Sequence, residues 1–176
     1  LVENKFEKIS DIANSDQEIL KDLSYEYIAY LKKISNNSEK ITDKLPINFK
    51  WIGLIKSIFP NSKIIHCVRD PKDVCLSIYR NYFTNNKLNF AYSIDDIIYF
   101  YNLYSDLMIY WKKLIPHFII DVIYEDLIAD SENEIKKIIK STGLNWDEKC
   151  VKFYEKKRPI RTASDTQARK AIYKSS

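Results

Sequence analysis

Two glycines, Gly53 and Gly143, lie 90 residues apart in a chain of 176 residues. A loop that cradles a phosphate with its backbone needs several glycines close together, so that the chain turns tightly and its amides approach the anion. No stretch of this sequence meets that requirement. At this length the chain fits one domain, with a core that needs neither disulfides nor a metal. An apolar content of 45% with 30% charged residues is ordinary for a soluble globular protein. The net charge of +4 is spread along the chain. It suits an anionic ligand but falls short of the concentrated basic stripe of a nucleic-acid binder. Cys67, Cys75 and Cys150 are odd in number and lack Cys-x-x-Cys spacing, and neither His66 nor His117 sits at a useful interval from a cysteine pair. We therefore expect no metal site, no disulfide framework and a reducing cytoplasm. No apolar run approaches the ~18 residues of a membrane span. The chain opens on Leu1 without a signal-peptide pattern, as expected of a fragment excised from a longer protein.

Hydrophobic spacing predicts a helix over 16–33, where Ile19, Leu20, Leu23, Tyr27, Ile28 and Leu31 share a face. A polar stretch ends it at 34–40, and a short extended segment over 41–44 precedes Pro46. Asn48 is the expected cap of a helix over 49–59, closed by Pro60. The run KIIHCV at 63–68 reads as a buried strand. Asp70 as N-cap and Pro71 at the first helical position then start a helix running to about Tyr82. A longer helix is expected from Ser93 to Leu114, a second strand over 118–124, and helices over 132–141 and 146–155. Strands alternating with helices predict an α/β chain: a parallel sheet with helices on its faces.

The segment KIIHCVRDPKDVCLSIY, residues 63–79, carries the sharpest chemical content. A strand delivers Arg69 at its carboxyl end, where ligands of open α/β sheets sit. The guanidinium can fork two phosphate oxygens through charge-assisted hydrogen bonds. Ser77, about two turns into the following helix, lies on roughly the face that begins at Asp70.

This segment resembles the 3′-phosphate-binding motif of the sulfotransferase superfamily, in which an arginine and a serine eight positions later hold the 3′-phosphate of 3′-phosphoadenylyl sulfate. Three further stretches are similar to tyrosylprotein sulfotransferases and to bacterial tetratricopeptide-linked sulfotransferases: TDKLPINFKWIGLI (42–55), VIYEDLIADSENEIKKIIKSTGLNW (122–146) and RTASDTQARKAIYKSS (161–176). The resemblance implies a P-loop-type sulfotransferase fold seen in part, with a partial parallel sheet flanked by helices and with the first strand and the phosphosulfate loop missing. It covers residues 41–176, with 1–40 a helical segment of the same domain. It also implies site roles: Arg69 and Ser77 on the 3′-phosphate, Lys44 and Ser164 in catalysis, and Tyr124, Gln167 and Lys170 near the nucleotide. A cation at Lys44 suits sulfuryl transfer, because negative charge builds on the bridging oxygen of the leaving phosphate. For Tyr124 core packing competes with nucleotide contact, while Glu125 and Asp126 are expected to cap the next turn.

The implied parent enzyme transfers a sulfuryl group from 3′-phosphoadenylyl sulfate to a hydroxyl acceptor, without a metal, a nucleic acid or a membrane. Upstream tetratricopeptide repeats are compatible with it, although none lies in this chain. The family's catalytic glutamate follows its glycine-rich loop, so Glu3, Glu7, Glu18 and Glu26 are not assigned that role. Asn81 stands where the tyrosylprotein enzymes carry a further phosphate-binding arginine, and Arg80 points about 100° away on a helix. The chain alone is thus expected to bind the adenosine 3′,5′-bisphosphate end weakly without turnover. Two alternatives stay open. One is a non-catalytic module of the same fold; the other is a nucleoside-phosphate kinase, which would require GxxxxGK[ST].

Overall fold

The computed structural model describes residues 16–83, 86–155 and 172. The chain divides into two compact units, Leu1–Ser62 with Leu103–Phe118, and Lys63–Asn102 with Ile119–Ser176.

In the first unit, helix α1 (Gln17–Ile34) follows the apolar stripe of its sequence and buries Leu23. Lys32 and Lys33 in its last turn suit the carbonyl end of a helix. Asn36 and Asn37 then take left-handed backbone conformations, which asparagine tolerates better than most residues, and the helix stops. The next helical element begins earlier than its sequence suggests. A 3₁₀ turn occupies Pro46–Trp51 and leads into α2 (Ile52–Ile58). Asn48 is therefore inside a turn and not a cap; its amide donates to the Leu45 carbonyl at 2.9 Å. Pro46 starts the turn because its fixed φ suits a first helical position, where an N–H has no partner to lose.

The long helix α4 (Ile94–Leu114) supplies the rest of this core from Leu103 onward. Trp111 donates its indole N–H to the Phe49 carbonyl at 3.0 Å, and Phe49 meets Tyr104 edge to face at 5.1 Å. Gly53 lets the Trp111 ring lie against α2: a Cβ there would fall 2.7 Å from Cη2. Leu23, Ile52, Met108 and Phe118 are the buried apolar side chains of this unit.

The second unit holds strands β1 (Ile64–Val68) and β2 (Ile119–Ile123), paired in parallel with Ile64 opposite Ile119 and Val68 opposite Ile123. Helix α3 (Pro71–Arg80) follows β1 directly. A kinked 3₁₀ segment at Asn86–Tyr92 precedes α4, whose start is marked by the Asp96 amide donating to Ser93 Oγ. Phe90 and Phe100 stack at 4.0 Å, and Ala91, Ile97 and Val122 are buried.

After β2 the sequence reading needs two corrections. Tyr124 to Ala129 is itself a helix, α5, beginning at the residue after the strand, where a connection was expected. The segment expected to be helical over 146–155 is broken into 3₁₀ turns at Glu148–Cys150 and Phe153–Glu155. Between them α6 (Ser131–Ser141) ends as its glycine predicts. Gly143 adopts a φ of 72°, its amide donates to Lys140, and the Leu144 amide reaches back to Ile139, the paired bonds of a Schellman stop. The fold is thus α/β with a small parallel sheet.

A candidate anion site beyond the strand ends

Each β1 residue pairs with the β2 residue 55 positions later, and that offset persists past the ends of the strands. His66 and Asp121, a register pair, are joined at 2.7 Å. One step beyond the last pair, the Arg69 guanidinium lies over the Tyr124 ring, with Cζ 4.7 Å from its centre. The next step joins the Asp70 amide to Glu125 Oε1 at 2.9 Å. A regular parallel ladder therefore delivers the arginine and its platform together, at the carboxyl ends where ligands of such sheets bind.

The start of α3 is closed by its own cap. Asp70 Oδ1 accepts from the amides of Lys72 and Asp73, at 2.8 and 3.3 Å. These first-turn donors are satisfied by a protein carboxylate, so the helix terminus does not present them to an external anion. Beside this cap lies Arg69, whose Nε and Nη2 donate to Asp73 Oδ2 at 3.3 and 2.8 Å. Asp73 and Ser77 are four residues apart on α3 and so share one face. Arg69, Asp73 and Ser77 thus follow one line along the helix, with the Ser77 residue exposed one turn beyond the ion pair.

Behind this line the α4 residue Tyr101 comes near Cys75 and Asp70. Burial first, then the neighbouring thiol and carboxylate, push its phenol above the ordinary tyrosine range. Burial also raises the Cys75 thiol, which makes it a poorer nucleophile at neutral pH.

The other expected site residues divide into two groups. Lys44 is exposed in the extended segment before Pro46 and belongs to the first unit. Its neighbour Asp43 accepts a 2.5 Å hydrogen bond from the Tyr27 hydroxyl of α1. Ser164, Gln167 and Lys170 lie outside the described residues. Of the glutamates set aside as bases, Glu18 and Glu26 are exposed on α1, and Glu3 and Glu7 are outside the described residues.

Asn81 has a structural use. It ends α3, with its amide donating to Ile78 and its side chain to the Ser77 carbonyl at 2.6 Å, while Arg80 is exposed in the last turn. Glu125 does lie in the first turn of a helix, but it is spent on the Asp70 amide of the neighbouring strand end. Asp73 and Glu125 are the site residues that sequence reasoning missed. The Arg69-to-Asp73 spacing was a readable signal for the first, and the shared 55-residue offset for the second, once both strands are placed.

Among the described residues no helix is long and apolar enough to cross a membrane, and no group of three or more metal-ligating side chains converges. The chain is 35% identical over 167 residues to an uncharacterized protein of Aquifex aeolicus (strain VF5). That match takes in 94% of this chain and 22% of the relative, so the chain spans about a fifth of the relative's length. The model of the "Sulfotransferase family" matches residues 3–148, which takes in the N-terminal helix as well as the Arg69 site and stops short of the tail. With a strand-end arginine in line with a helix serine inside that match, the chain belongs to the sulfotransferase family.

Proposed function

We propose that Arg69 and Ser77 hold the 3′-phosphate of 3′-phosphoadenylyl sulfate, and that the protein transfers the sulfuryl group of this donor to a hydroxyl acceptor. The observation that carries the reading is the Arg69 guanidinium, held over the Tyr124 ring beyond the strand ends and paired with Asp73, one helical turn before Ser77 on α3. An arginine offers five donors in a planar fork, and a phosphate dianion is a stronger partner for it than the single Asp73 carboxylate.

The chemistry is an in-line displacement. The acceptor hydroxyl oxygen forms a bond to sulfur as the bond from sulfur to the bridging oxygen breaks, the hydroxyl proton passes to a general base, and charge builds on the departing phosphate. Lys44 is assigned to offset that charge and Ser164 to support the same transition state. Tyr124, Gln167 and Lys170 are assigned to the nucleotide. By its motifs the chain falls nearest the tetratricopeptide-linked bacterial and tyrosylprotein groups, and upstream repeats belong to the same reading. Three free thiols suit a reducing cytoplasm. With two distant glycines, these residues supply no phosphosulfate loop, so by themselves they bind adenosine 3′,5′-bisphosphate without turning over.

Calorimetric titration of adenosine 3′,5′-bisphosphate tests this. Arg69→Ala is expected to weaken binding by about tenfold or more, the loss of a charge-assisted pair. Adenosine 5′-phosphate, which lacks the 3′-phosphate, should bind both proteins alike. Absence of heat with the wild type would favour a non-catalytic module of the same fold.

A further inference from the structure

Resting on the 3′-phosphate reading, we infer that Asp73 is a positioning residue for the anion site, fixing the guanidinium of Arg69 before the ligand arrives. Nothing in the motif itself requires an acid at this place. The structure supplies two restraints on one planar group. Asp73 engages the edge of the guanidinium formed by Nε and Nη2, through a single carboxylate oxygen, and the Tyr124 ring lies 4.7 Å from its centre. The edge contact with Asp73 and the contact with the Tyr124 ring together limit how the fork can turn. Edge pairing through Nε and Nη2 is geometrically compatible with an anion held end-on by the two terminal nitrogens.

The restraint matters because an unrestrained arginine has many rotamers, and ordering it on binding costs affinity. Asp73 is itself well anchored. Its amide is held by Asp70 Oδ1 in the first turn of α3, and the Asp70 amide is in turn held by Glu125. A chain of contacts thus runs from the first turn of α5 through the helix cap to the guanidinium. The carboxylate also stands between Arg69 and Ser77 on one helix face, so its charge lies beside the space an anion bridging them would occupy. Positioning and repulsion therefore act with opposite signs on affinity. Asp73 already sits in direct contact with Arg69, whereas the end-on edge of the two terminal nitrogens is a different edge of the same plane, turned by about 120° from the one Asp73 engages. On that geometry positioning prevails.

The test titrates adenosine 3′,5′-bisphosphate and adenosine 5′-phosphate against the wild type, Asp73→Asn, Arg69→Ala and the double variant. Asp73→Asn is expected to weaken the bisphosphate by about fivefold, the upper end of what a part-exposed ion pair contributes. The monophosphate should be unaffected, and in the Arg69→Ala background the Asn substitution should change nothing. Equal or tighter bisphosphate binding by Asp73→Asn would overturn the inference and make Asp73 a competitor for the arginine. Equal losses for both nucleotides, or a loss that persists without Arg69, would overturn it in favour of a general role in the helix start. Should Asp73→Asn fail to fold by circular dichroism, Asp73→Glu keeps the charge and is expected to show a smaller loss confined to the bisphosphate; an equal loss for both nucleotides overturns the inference there too. A wild type that treats the two nucleotides alike defeats the 3′-phosphate reading itself. A wild type that separates them, with Asp73→Asn unchanged, defeats the positioning role alone.

Discussion

The Tyr27 hydroxyl donates to Asp43 one residue before Lys44, tying the extended segment to α1. Burial first, and then the Asp43 carboxylate, push the Tyr27 phenol well above the ordinary tyrosine range. A folded-state pKa above the unfolded value means that, as pH rises, the unfolded chain releases this proton first. The contribution is therefore complete below about pH 10 and is lost progressively above it. Tyr27→Phe should lower stability by about 1 kcal/mol at pH 8, since the acceptor is charged but exposed. The gap between variant and wild type should narrow above pH 10. Urea denaturation at the two pH values checks this, and a gap that widens with pH would contradict it. At this scale the sequence was informative where the contact is local and silent where it is not. Arg69 and Asp73 are four residues apart, so their pairing needs only a helix. Tyr27 and Asp43 are 16 residues apart across a helix stop, and Asp70 and Glu125 are 55 apart across two strands. No local rule reaches either.

Among the elements, the starts of α3 and α4 and the stop of α6 were legible because each is written in its own cap: Asp70 with Pro71, Ser93, and Gly143. The 3₁₀ turn at Pro46 and the helix at Tyr124 were not. In both, apolar spacing fits an α-helix, a 3₁₀ turn or a buried connection equally well, and tertiary packing decides. The packing of α2 against α4 shows the same limit. Gly53 looks like a weak point in a helix, yet a methyl group there would sit 2.7 and 2.9 Å from two carbons of the Trp111 ring. That ring is anchored by its bond to the Phe49 carbonyl. Alanine would gain about 1 kcal/mol of helix propensity and lose about 1–3 kcal/mol to overpacking, so Gly53→Ala should be net destabilising by about 1 kcal/mol. A urea midpoint equal to or above that of the wild type would show that Trp111 can move aside.

For the whole chain, α4 is one continuous helix that places Ile97 in the core of the second unit and Met108 in that of the first. Melting one core alone would break that helix midway and forfeit its cooperative hydrogen bonding. A single unfolding transition is therefore expected, although the Arg69 site lies entirely in the second unit. A ligand that binds only the folded chain stabilises it by an amount set by concentration over Kd, about 2.7 kcal/mol at a hundredfold excess. For a protein of this size that corresponds to a rise in Tm of roughly 5–10 °C. Adenosine 3′,5′-bisphosphate should produce this rise in one transition, and adenosine 5′-phosphate at the same concentration should produce clearly less, because the contacts proposed to discriminate them are to the 3′-phosphate. Scanning calorimetry separates the outcomes. Two transitions, with only one moved by the bisphosphate, would mean that α4 does not couple the cores; equal shifts for both nucleotides would mean that Arg69 and Ser77 grip something other than a 3′-phosphate.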